Sequence, residues 1–114
     1  VRRRWRGKPL ILSEFGAGAA PGRSEEDGPW QAERVGGGKS YSEAYQAQIL
    51  SHYWKTARSK PWIVGVSPWV FADFYNLWFP NNPVPNYNLK GVVSRERRPK
   101  EGFYRMRTHY REGA

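Results

Sequence analysis

Apolar residues fall into two short runs and two periodic stretches. Pro9-Leu10-Ile11-Leu12 and Trp62-Ile63-Val64-Gly65-Val66 are nearly continuous, of strand length, and bounded by turn residues. Runs of this kind fit strands buried on both faces, as in a parallel sheet. Residues 40–58 read differently. Tyr41, Tyr45, Ile49 and Tyr53 recur every fourth position, flanked by Ala44, His52 and Ala57 and widened by Leu50 and Trp54. That spacing predicts a helix with an aromatic core stripe. Ser40-x-x-Glu43 reads as its capping box, Lys55 and Arg58 suit its C-terminal dipole, and Ser59-Lys60-Pro61 ends it. Phe103, Met106 and Tyr110 predict a last helix with Pro99 in its first turn and Gly113 just past its end. Residues 1–8 read as the tail of a basic helix ending at Gly7.

Between these elements lie two long loops. Residues 17–38 are rich in Gly, Pro, Ser and charge, with Trp30 and Val35 as apolar anchors. Residues 75–88 carry Pro80, Pro83 and Pro85 among Asn81, Asn82 and Asn86. Long loops in a small domain are usually functional or disordered. The order strand, loop, helix, strand is a crossover unit, which joins parallel neighbours. The fold class is therefore α/β. Glu14 follows the first strand's apolar run and Trp69 follows the second's, so both are expected at the same sheet edge, where such folds gather their ligand sites. A Glu turned into a polar loop is the plain reading of that position, since an unpaired buried carboxylate is costly.

Composition narrows the classes. At 114 residues, 39% hydrophobic and 16% aromatic, the chain has the length and apolar content of one folded domain, spanning residues 1–114. It has no cysteine, which removes disulfides and thiolate metal sites. His52 and His109 lack ligand spacing and read as helix-surface or boundary residues, so no metal and no cofactor are expected. No apolar run reaches membrane-span length, and no membrane partner is expected. The net charge of +9 is concentrated in residues 2–8 and 95–111. That balance suits phosphate contacts, but no nucleic-acid-binding signature accompanies it, and nucleic acid is not expected as a partner. The opening Val1-Arg2-Arg3-Arg4-Trp5-Arg6 lacks both a start methionine and an apolar signal region, and reads as the interior of a longer chain.

Four ordered features carry a resemblance. They are Leu12-Ser13-Glu14-Phe15-Gly16-Ala17, Tyr41-Ser42-Glu43-Ala44-Tyr45-Gln46, Trp69-Val70-Phe71-Ala72-Asp73-Phe74, and Asn88-Leu89-Lys90-Gly91-Val92-Val93 running into Arg98-Pro99-Lys100. In this order and spacing the chain resembles glycoside hydrolase family 2, the group of β-galactosidases, β-glucuronidases and β-mannosidases. The match falls on the last quarter of that family's catalytic (β/α)₈ barrel, strands 7 and 8 with their helices, so a C-terminal fragment of the barrel is expected. Two strands cannot close a barrel and would expose the barrel-facing side of the sheet.

The resemblance implies a retaining exo-β-glycosidase acting on terminal β-linked sugars, with β-glucuronides slightly favoured over β-galactosides. It implies that Glu14 is the nucleophile, that Trp69 lines the sugar subsite, and that Asn88 and Lys90 contact a substrate carboxylate. The ring face of Trp69 suits the apolar C–H face of a pyranose, and an ammonium is a sound partner for a uronate. Asp73 reads as a structural carboxylate. The family's acid/base glutamate follows an asparagine, and no Asn-Glu pair occurs here. The expected partners are therefore a β-glycoside and the rest of the barrel chain, with a homo-oligomer open to the complete enzyme, and the isolated fragment is expected to be inactive. Two other classes stand beside this reading: a non-catalytic sugar-binding or assembly piece, and a basic nucleic-acid-binding module.

Overall fold

The computed structural model describes residues 4, 6–28 and 40–113. The anchors Trp30 and Val35, and Val1, Arg2, Arg3 and Trp5 of the basic helix expected over residues 1–8, lie outside the described residues; the described part of that stretch is not helical. Arg4, Arg6 and Gly7 are in turns.

Strand β1 spans Leu10–Phe15, helix α1 Glu43–Arg58, strand β2 Ile63–Pro68, strand β3 Phe74–Tyr75, strand β4 Tyr87–Asn88 and helix α2 Glu101–Glu112. A 3-10 turn, Glu25–Asp27, lies in the described part of the first long loop. β1 and β2 pair in parallel, with Leu10 opposite Ile63 and Leu12 opposite Val66. The crossover expected from the sequence is therefore present. The expected second loop is closed at its base, where Phe74 and Tyr75 pair antiparallel with Asn88 and Tyr87.

Strand burial is one-sided, not the two-sided pattern that the apolar runs suggest, and agrees with the bare face expected of two strands alone. Ile11 is 69% and Val64 64% exposed, while Leu12 and Val66 pack into the core. One sheet face is covered by helices and the other, among the described residues, by nothing. The main core joins Phe15, Leu50, Val92, Val93 and Met106, with Leu12, Trp54, Val66, Ala72 and Phe103 packed against it. A smaller cluster holds Ala20, Tyr41 and Leu89.

The buried face of α1 is not the predicted tyrosine stripe. Gln46, Ala47, Leu50 and Ala57 are buried, whereas Tyr53 is exposed. α1 packs mainly on α2, and the closely apposed helix favours Ala47 and Gly102 over bulky rings. The cap also differs. Ser42 is the N-cap, its Oγ accepting from Tyr45 N at 3.0 Å. Tyr41 precedes it with a left-handed φ of 53° and turns into the smaller cluster. Ser40 instead accepts from Ser42 N at 3.2 Å. Helix α2 begins at Glu101, with Lys100 at its N-cap, so Pro99 stands just outside it. Its buried face is Gly102, Met106 and His109, while Tyr110 is half exposed. His109 is thus an interhelical residue. Its Nε2 is 2.8 Å from Ser51 Oγ, its ring stacks on Trp54, and burial holds its pKa below the ordinary histidine value.

The two candidate stripes on α1 make opposite predictions. Leu50→Ala removes a side chain that is 1% exposed, and the expected loss of unfolding free energy is about 2–5 kcal/mol. Tyr53→Ala, on the predicted but exposed stripe, is expected to cost under about 1.5 kcal/mol. Chemical denaturation of both variants checks the pair, and a larger loss at Tyr53 would restore the tyrosine face.

Candidate active site

Because β1 and β2 run parallel, their C-terminal ends share one edge. Glu14 lies there with its side chain exposed, and Phe15 beside it is buried, its ring 5.5 Å from that of Tyr53. The chain then crosses directly against the end of β2. Trp69 N donates to Phe15 O at 2.9 Å. Gly16 has φ +155°, and a Cβ there would stand 2.7 Å from the Trp69 carbonyl oxygen. A glycine after Glu14-Phe15 is therefore required by close backbone approach.

Trp69 is half-buried, with the Phe74 ring edge-on at 5.7 Å. The Trp69–Val70 peptide bond is cis. Lys90 brings its Nζ within 5.8 Å of the Trp69 ring centroid, a cation–π distance. The Lys90 backbone is tied to the same segment, since Val70 N donates to Lys90 O at 3.0 Å and Val92 N to Val70 O at 3.0 Å. Asn88 is buried, and its Oδ1 accepts from Lys90 N at 3.0 Å. The structure therefore brings Glu14, Trp69 and Lys90 to one edge, with Asn88 shaping the turn that presents Lys90.

Beneath this edge lies a buried ion pair. Lys100 Nζ stands 2.8 Å from Asp73 Oδ1, with the two side chains 1% and 2% exposed. The ammonium also donates to Ala19 O at 2.6 Å and Leu89 O at 3.1 Å, which uses its three N–H groups. Asp73 Oδ1 further accepts from Gly91 N at 2.9 Å. Burial pushes the Asp73 carboxyl above its ordinary pKa and the Lys100 ammonium below its own, and their mutual contact opposes both shifts. Asp73 is structural, as its sequence position suggested. A Cβ at Gly91 would meet Asp73 N at 2.2 Å, so glycine is the residue that lets the two segments touch.

Sequence reasoning missed Lys100, which ends a run of basic residues that looks like a solvated face. It also missed what the Tyr41–Gln46 motif does. Glu43 accepts from Gly22 N at 2.6 Å and from Glu101 N at 2.7 Å, so its carboxylate sits at the N-terminus of α2, where helix polarity favours it. Gln46 Nε2 donates to Ala17 O at 2.9 Å and Gly91 O at 3.0 Å, bracing the loop after β1 against the turn after Lys90. Elsewhere, Arg95, Arg97 and Arg107 lie over the rings of Tyr87, Phe71 and Tyr104, which spends basic side chains on local aromatic contacts. Among the described residues no group of three or more His, Cys, Asp or Glu is placed to hold a metal, and no helix is long and apolar enough to cross a membrane.

No family model matches the chain. Individual proteins do. It is 33% identical to a GH2 β-galacturonidase from Eisenbergiella tayi, solved bound to galacturonate, which superposes with a TM-score of 0.73 over 93% of this chain and 17% of that one. It is 35% identical to the β-glucuronidase of Mus musculus over 105 residues, 90% of this chain and 14% of that protein. Its homologues are thus β-glucuronidases and GH2 β-galacturonidases. A β-glucuronidase from an uncultured Clostridium superposes with a TM-score of 0.74 at 28% identity, over 97% of this chain and 17% of that one. The β-glucuronidase of Paenibacillus borealis is 31% identical over 93% of this chain and 16% of its own length. The chain therefore spans only 14–17% of the length of these relatives.

The ion pair yields a direct test. Lys100→Met strands the buried Asp73 carboxylate, and the expected cost is about 3–5 kcal/mol of unfolding free energy. Adding Asp73→Asn to it should recover part of that loss, because no buried charge is then left unpaired. A Lys100→Met variant that unfolds at the wild-type denaturant midpoint would show that the pair does not hold the fold.

Proposed function

We propose that the chain is the nucleophile-bearing part of a retaining exo-β-glycosidase, with a β-glucuronide as the favoured substrate. One observation carries the reading: the Lys90 ammonium lies 5.8 Å from the ring of Trp69, at the sheet edge that also bears Glu14. A platform for a pyranose, a cation for its carboxylate and a carboxylate for its anomeric carbon are the parts that a uronide hydrolase needs. The names of the relatives agree in substrate type, since glucuronate and galacturonate are both hexuronates.

In this mechanism the Glu14 carboxylate attacks the anomeric carbon and the glycosidic C–O bond breaks. The leaving oxygen takes a proton from a second carboxyl about 5–5.5 Å away. The same second group then removes a proton from water, which attacks the glycosyl ester and releases Glu14. Glu14 is solvent-accessible, as a nucleophile must be. The second carboxyl comes from another part of the enzyme, because no Asn-Glu pair is present in this chain. β1 and β2 act as the seventh and eighth strands of the (β/α)₈ barrel, and the uncovered face bearing Ile11 and Val64 is the side that the other strands close over. Residues 1–114 by themselves therefore supply half of a catalytic pair.

Two experiments on the complete enzyme test this. Glu14→Ala should abolish most hydrolysis of aryl β-glucuronides. Azide should restore part of it and yield the glycosyl azide of inverted configuration, because one displacement replaces two. Near-normal turnover without Glu14 would remove it from the mechanism. Lys90→Ala should lower kcat/KM on a β-glucuronide at least about 10-fold more than on the matching β-galactoside, the scale of one charged hydrogen bond. Equal losses would leave Lys90 as a loop-shaping residue only.

A further inference from the structure

The hairpin that presents Lys90 carries a second aromatic feature that the proposed chemistry does not use. Trp78 is 87% exposed and Leu77 66% exposed, at the tip between β3 and β4. A solvent-facing tryptophan gains nothing for folding, and Trp78 is more exposed than Phe71 at 59% or Tyr75 at 56%. The tip is nonetheless firmly built. Trp78 N donates to Asn76 Oδ1 at 2.9 Å, Asn76 N to Asn86 O at 2.7 Å, and Asn86 N to Phe79 O at 2.9 Å. Asn82 Nδ2 donates to Tyr87 O at 2.8 Å, while Tyr41 Oη donates to Asn82 Oδ1 at 2.9 Å and moors the tip to the smaller core cluster. The ring of Trp78 is thus displayed from an ordered turn.

We propose that Trp78, with Leu77 beside it, forms a leaving-group subsite that selects substrates with flat, uncharged aglycones. This rests on the reading of the chain as part of a β-glycosidase. Three observations select that occupant. The hairpin is rooted on the sugar platform, since Phe74 of β3 packs on Trp69 and Lys90 follows β4 by two residues. Trp78 is four residues beyond Phe74, so its backbone stands at most about 14 Å from the residue that packs on Trp69. Residues 76–86 contain no charged side chain, in a protein of net charge +9. A tip built to bind a charged partner would carry charge, and one built to meet a neutral aromatic surface would not.

The test compares two β-glucuronides in the complete enzyme, one with a 1-naphthyl and one with a methyl aglycone. Trp78→Ala should lower kcat/KM for the naphthyl substrate about fivefold, mostly through KM, as expected for loss of an aromatic contact. The methyl substrate should stay within about twofold of wild type. Trp78→Phe should keep most of the naphthyl preference. Equal losses on both substrates, no loss on either, or a change of oligomeric state in Trp78→Ala would each overturn the subsite. Failure of the underlying reading is distinct: the wild-type enzyme would then hydrolyse neither glucuronide.

Discussion

The Lys100 ammonium is the point on which the described structure depends. Taking a charge out of water costs several kcal/mol unless the protein replaces every hydrogen bond that water supplied. Here three acceptors do so, from three separate segments: Ala19 in the loop after β1, Asp73 after β2, and Leu89 after β4. Lys100 is also the N-cap residue of α2. One side chain thereby fixes the spacing between both strand ends, the hairpin and the last helix. Asp73 extends the arrangement by accepting from Gly91 N, next to Lys90. The residues that face solvent at the sheet edge are held from below by groups that never reach it.

That division of labour runs through each motif. In Leu12–Ala17, Glu14 faces out while Phe15 packs into the core and Gly16 allows backbone contact with Trp69. In Trp69–Phe74, the tryptophan is presented and Asp73 is spent on Lys100. In Asn88–Val93, Lys90 is presented and Asn88, Leu89 and Gly91 hold the turn. The Tyr41–Gln46 motif presents nothing to the edge. Ser42 caps α1, Glu43 caps α2, and Gln46 bridges two loops. Side chains presented from loops keep fixed relative positions only with such support.

The uncovered sheet face is the other physical constraint. Leu12 and Val66 are covered by the helices, whereas Ile11 and Val64 are not. A parallel pair with one bare apolar face is unstable in water unless something covers it. A separate, largely apolar groove of about 540 Å³, bounded by Pro68, Val70, Phe71, Phe103, Met106 and Tyr110, lies between the end of β2 and α2. It contains none of Glu14, Trp69 or Lys90, and its chemistry is that of packing.

The sequence by itself determined the principal elements and their order. Continuous apolar runs and a four-residue period are local signals, and they marked β1, β2, both helices and the parallel crossover, but not the short β3–β4 pairing at the base of the second loop. They also placed Glu14 and Trp69 at one edge, because strand direction follows from the order of elements. Local signals could not say which face of α1 is buried. Tyr45, Ile49 and Tyr53 satisfy helical spacing as well as Gln46 and Leu50 do, and only the approach of α2, with Gly102 against Gln46 and Leu50, chose between them. Nor could they tell Ser42 from Ser40 as the cap, which depends on how Tyr41 turns into the core. Least legible was Lys100, the last of a basic run in sequence. Its partners lie 11, 27 and 81 residues away, and a charge is stable in the interior only where such distant groups converge, which the tertiary structure alone decides.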